Sequence, residues 1–232
     1  VPIIESKNPV MPPHMHHRTT VVAKYLSLLT VLFFCALMLA TALQYFSISM
    51  KNGLLQIKPA FQATSHPIAL CVYICSNMLA MVAVFVQFSK KLRTRHTTMH
   101  RWIGRTYVFN VLLVAAPAGL IMSFNTDGNF NFRIALTVQS CLWWYFTYTA
   151  YWSVIHRDFV GHRHFMVRSF ALTLSIITLR LWAVDVTAYF EQPPINLDPI
   201  TPWLGFIPNA LIAEWWIRRA AASHTPVDEP VK

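Results

Sequence analysis

Charged residues are absent from four long stretches of this chain and sparse in two more. Residues 25–50 carry no charge, and neither do residues 59–89, whose apolar part begins near His66. Residues 106–126 and 134–155 form a third and a fourth uncharged run. A fifth run, 165–190, is interrupted by Arg168, Arg180 and Asp185; a sixth, 199–221, carries Glu214 and closes on Arg218 and Arg219. A helix needs about 20 mostly apolar residues to cross a bilayer core, because its backbone polar groups must be satisfied within the segment. The pattern therefore predicts an all-α integral membrane bundle of six transmembrane helices. The membrane domain occupies 21–222, between an N-terminal tail at 1–20 and a C-terminal tail at 223–232. Both tails are rich in proline, histidine and charge and are expected to be mobile on their own in water.

Composition agrees. Apolar residues make up 55% of the 232 positions and charged residues 12%, with a mean hydropathy of +0.43. A charged share about half the usual one excludes a disordered chain, a disulfide-stapled secreted module and an ordinary water-soluble enzyme.

The basic residues orient the bundle. Fifteen of the nineteen lie near the chain ends (Lys7, Arg18, Lys24, Arg218, Arg219 and Lys232), in the segment 89–105 or in the segment 157–168. Opposite them stand Lys51, Lys58 and Arg133, and Arg180 alone remains inside. Positive-inside bias puts both termini on the cytoplasmic or matrix side, as in a bacterial or mitochondrial inner membrane. The net charge of +10 is then a topology signal facing the lipid bilayer, and no nucleic acid is called for. Cys35, Cys71, Cys75 and Cys141 all fall in predicted helices and read as small thiols packed between them.

Ionisable groups inside a membrane usually face a partner or a cavity. At 100° per residue His162, Ser169, Thr173, Arg180 and Thr187 share one inward stripe of the fifth run. Asn209 and Glu214 run antiparallel to it, so a bridge from Arg180 to Glu214 or Asn209 is expected. Asp185 falls on another face, near the outer surface. His66, Tyr73 and Asn77 form a second stripe, with His66 capping the helix before Pro67. Pro117 and Pro208 are each placed to kink a helix.

Nine of the ten histidines lie on the predicted inner side. A b-type heme takes axial histidines from two helices at one depth, with basic residues near its propionates. His100 opens the third run and His162 or His164 the fifth, with Arg101, Arg105 and Arg168 beside them. His66 lacks an outer partner, so one heme is the most the chain supports. A multi-histidine metal cluster built on His96, His100, His156, His162 and His164 is the weaker option. An anionic headgroup bound by the same Arg-His surface is a third.

Two stretches resemble a known family. His100-Arg101-Trp102-Ile103-Gly104-Arg105-Thr106-Tyr107 follows the pattern His-Arg-x-x-Gly-Arg-x-Tyr. The second is His162-Arg163-His164-Phe165-Met166-Val167-Arg168-Ser169, continued by Thr173 and Thr178-Leu179-Arg180. With weaker matches at His66, Gln87, Asn209 and Glu214, the chain resembles the predicted membrane proteins of domain of unknown function 2306. The resemblance implies a multi-helix membrane protein with a His-Arg face at its inner boundary, and it implies no activity. In that face Gly104 would admit a flat group and Tyr107 would offer it a hydroxyl.

Two readings follow. The first is an accessory subunit of a larger energy-converting or transport assembly, its inner site holding a cofactor, quinone or lipid headgroup beside other membrane subunits. The alternative is a b-type heme protein that passes electrons, which as an enzyme would be a heme- or quinone-linked oxidoreductase. The alternative requires His100 to face a histidine of the fifth run at one depth. The first requires an exposed aromatic flank, such as Trp143, Trp144, Tyr145, Tyr148, Tyr151 and Trp152 could form.

Overall fold

The computed structural model describes residues 33, 36, 67–125, 130–189 and 200–222, without the side chains of 67–71, 90, 125, 180–181 and 183–189. Apart from Phe33 and Ala36, the first predicted run lies outside the described residues, as do both tails and His66. So do the side chains of Arg180 and Asp185.

Every described element is helical. α1 spans Pro67–Gln87, α2 Lys90–Arg95 and α3 Thr97–Asn110; a π-helical turn at Val111–Ala115 joins α3 to α4, Ala116–Asn125. α5 spans Phe130–Ile155, α6 Phe159–Tyr189 and α7 Thr201–Ala222. Pro67 stands at the first position of α1, where a missing N–H costs nothing. Ser89 caps α2 by accepting the Leu92 N–H.

The rod from Thr97 to Phe124 is long and apolar enough to cross a membrane, while the apolar stretch Val72–Gln87 of α1 is shorter. α5 and α6 fall short of that standard for a visible reason. α5 is dense in tryptophan, tyrosine and threonine, and α6 opens on His162, Arg163, His164 and Arg168. Their candidacy as spans rests on sparse charge and length, which for 26 and 31 residues is about 39 and 46 Å.

α1, α3, α5 and α6 surround one core, and α7 lies along α6. The core is made largely of small residues, with Ala80, Ala83, Ala115, Ala135 and Ala150 among those buried around Tyr107 and Val111. Small side chains let helices approach closely where lipid offers no hydrophobic drive to associate. Gly119 is the tightest such approach. A Cβ there would stand 2.8 Å from Ser140 Oγ of α5 and 3.2 Å from Tyr73 of α1.

The π turn follows from Pro117. In that register a residue bonds five back, as the Ala116 N–H does with Val111 O, but Pro117 has no N–H for Leu112 O. The Trp144 indole on α5 supplies the missing donor at 3.2 Å. Trp144→Phe should therefore lower stability by about 1 kcal/mol. Adding Pro117→Ala should recover part of that loss in a detergent unfolding titration, because alanine restores a donor.

The thiols differ from expectation. Cys75 and Cys141 are exposed rather than packed between helices. Cys75 shares the outward stripe of α1 with Val72, Leu79 and Val82, which are also exposed.

Candidate functional site

The link between α5 and α6 sets the site. α5 ends with Asp158 N bonded to Ser153 O and Arg157 N to Val154 O, and Arg157 takes a φ of 62°. This is a left-handed helix stop with arginine where glycine is usual. Asp158 then caps α6 by accepting the Gly161 N–H at 2.8 Å. The chain thus reverses within three residues and returns His162 against the end of α5. There His162 Nδ1 lies 2.8 Å from Ala150 O. A carbonyl only accepts, so Nδ1 carries the proton and Nε2 is the nitrogen left to face away from α5.

His100 comes to the same end from α3. Gln87, buried at the end of α1, donates its amide to His100 O at 2.7 Å and fixes the start of that helix. Gly104 makes room for this amide, since a Cβ there would stand 3.2 Å from Gln87 Nε2. The space expected to admit a flat group is therefore occupied by Gln87. His100 is half-buried, and its Nδ1 is, among the described residues, the buried side-chain nitrogen or oxygen left without a partner. Arg93, Arg101 and His162 act on that ring electrostatically. Arg93 was not among the predicted site residues, although its place in a run of basic residues was a signal.

Tyr107 is not at the ligand face. It is fully buried, and its hydroxyl meets Ser169 Oγ at 2.7 Å and Thr173 Oγ1 at 2.8 Å and accepts the Trp143 indole N–H at 3.2 Å. Ser169 also meets Thr147 Oγ1 at 2.7 Å, so the network ties α3, α5 and α6 together. The inward stripe of α6 is thus borne out at Ser169 and Thr173, and its hydroxyls serve packing. Tyr107 also meets Phe170 edge-on at 5.1 Å, closing the bundle below the histidines.

Both partners expected for Arg180 bond to other side chains, and the Arg180 side chain itself lies outside the described residues. Arg168 donates to Glu214 Oε2 from Nε at 3.1 Å and from an Nη at 2.8 Å, and Arg218 takes Oε1 at 3.2 Å. Asn209 exchanges hydrogen bonds with Thr178 at 2.9 and 3.1 Å. That register of α7 on α6 leaves Arg180 seven residues from the level of Glu214, about 10 Å in depth. Arg168, on the other side of that level, has a side chain long enough to arrive. In a double-mutant cycle of Arg168→Leu and Glu214→Leu, each single change is expected to cost about 1.5–3 kcal/mol. The double change should cost less than their sum, because neither charge is then left unpaired. Additive losses in detergent unfolding would count against the pair.

The remaining predicted residues disperse. Arg101 and Arg105 are exposed, and Arg105 lies over the Trp102 ring at 5.4 Å. His164 is half-buried one position beyond Arg163. Asn77 is buried and donates to Tyr73 O of its own helix at 2.7 Å. No group of three or more metal-ligating side chains is present among the described residues.

Among the described residues, an all-helical architecture, one rod long and apolar enough to cross a membrane and a rim of basic residues at one end of the bundle accord with a membrane protein. Residues 70–217 match the predicted membrane protein family of domain of unknown function 2306, and the chain belongs to that family. No curated protein and no solved structure matches the chain.

Proposed function

We propose that the chain is a six-span membrane protein with both termini on the inner side. In this reading it holds one b-type heme at its inner boundary, between His100 and His162, and passes single electrons there. The observation that carries the reading is the convergence of these two histidines. Each stands in the first turn of a helix, and the two helices start at the same end of the bundle, His100 on a start fixed by Gln87 and His162 against the end of α5. The donor set suits the group. His162 has its Nδ1 proton on a backbone carbonyl, the usual second contact of a histidine that ligates a metal through its other nitrogen. His100 brings a buried nitrogen with no protein partner. Arg93 and Arg101 supply positive charge for carboxylates. A b-type heme would supply reversible uptake and release of one electron, with no bond made or broken in the protein. The chain's own part is to hold the His162 ring through Ala150 O, to fix the backbone at His100 through Gln87, and to close the core below through Tyr107 and Phe170.

A pyridine hemochrome assay on protein purified in mild detergent tests this. About one heme per folded chain is expected. Folded protein without heme would overturn the reading and leave the site to a quinone or an anionic headgroup.

A second reading, membership of a larger membrane assembly as an accessory subunit, is supported by α5. Trp144, Tyr148 and Trp152 are exposed and stack in sequence, with centroids 5.2 and 6.2 Å apart and interplanar angles of 7° and 25°. Trp143 faces the core instead, at 4% exposure. Blue-native electrophoresis of solubilised native membranes should then show a complex that Tyr148→Ala weakens. Migration at the monomer mass would refute it.

A further inference from the structure

The heme reading leaves unused a second feature of the inner rim. Four tryptophans are exposed at the inner ends of three helices: Trp102 on α3, Trp152 on α5, and Trp215 and Trp216 on α7. Each has a basic group against its ring. Arg105 lies over Trp102 at 5.4 Å, Arg219 over Trp215 at 5.2 Å, and Arg163 of α6 over Trp216 at 5.2 Å. The His156 ring meets Trp152 at 4.3 Å. Between α1 and α3, α2 buries Leu92 and exposes Lys91, Arg93 and Arg95. The acids described at this end are committed elsewhere, Asp158 to the cap of α6 and Glu214 to Arg168 and Arg218.

We propose that this rim is a binding belt for anionic phospholipid headgroups. Tryptophan settles at the headgroup level because its ring is apolar on one side and carries an N–H donor on the other. A guanidinium stacked on such a ring is held in place yet keeps donors free, and its planar fork matches a phosphate. Exposed basic side chains beside an apolar helix surface are drawn to the anionic leaflet. The pairs come from α3, α5, α6 and α7, around the bundle, whereas a nucleic acid or a soluble acidic protein would meet basic residues gathered on one water-facing surface. This inference is independent of the heme.

Native mass spectrometry of delipidated full-length protein, titrated with phosphatidylglycerol and phosphatidylcholine, tests it. The expected result is a severalfold preference for phosphatidylglycerol that falls toward unity in Arg105→Gln/Arg163→Gln/Arg219→Gln. Arg133→Gln, at the opposite end of α5, should leave the preference intact. If the triple variant fails to fold, Arg105→Gln and Arg219→Gln are read singly, each weakening phosphatidylglycerol more than phosphatidylcholine. Equal binding of the two lipids by the unaltered protein would overturn the belt. So would a preference that survives these substitutions or is lost equally in Arg133→Gln.

Discussion

His162→Ala is expected to yield folded protein without its b-type absorbance bands, while His164→Ala keeps them. His162 turns Nδ1 to Ala150 O and so directs Nε2 away from α5. His164 lies two residues further along α6, about 200° around the helix from His162. His162→Ala leaves the turn intact, because Asp158 and Gly161 close it without the imidazole. Far-ultraviolet circular dichroism should accordingly be unchanged. Bands that vanish in His164→Ala and persist in His162→Ala would move the ligand to the other histidine and refute the assigned pair.

Tyr107→Phe should lower stability by about 1–3 kcal/mol, the cost of orphaning a buried polar group. The change removes one oxygen that serves three partners on two helices. Ser169 can fall back on Thr147, and Thr173 on Ser169 O. The Trp143 N–H has no such alternative and would be left in a dry interior. Tyr148→Phe, on the exposed face of α5, is the control and should change stability by less than about 0.5 kcal/mol. Equal effects in a detergent unfolding titration would mean that the buried network contributes nothing specific.

Much of the helical order was legible because sparse charge marks the segments without reference to their neighbours. Periodicity also placed Ser169 and Thr173 inward, as the Tyr107 hydroxyl bears out. What periodicity lacks is the register between helices. The pairing of Glu214 with Arg168 depends on how α7 slides along α6, and the length of a run does not set that slide. The motif around His100 invited a similar error, since its residues point different ways. His100 faces the rim, Tyr107 the core, Arg105 the outside, and Gly104 receives Gln87. Pro117 did signal a distortion. That it would be a π turn served by Trp144 required knowing which helix lies beside it.

In the proposed reading His100 and His162 together hold one group at the inner boundary. The most direct measurement is the electron paramagnetic resonance spectrum of the oxidised protein purified in mild detergent. Two imidazole ligands predict a low-spin ferric signal, absent from His100→Ala and from His162→Ala. A high-spin signal, or no heme signal from folded protein, would contradict it.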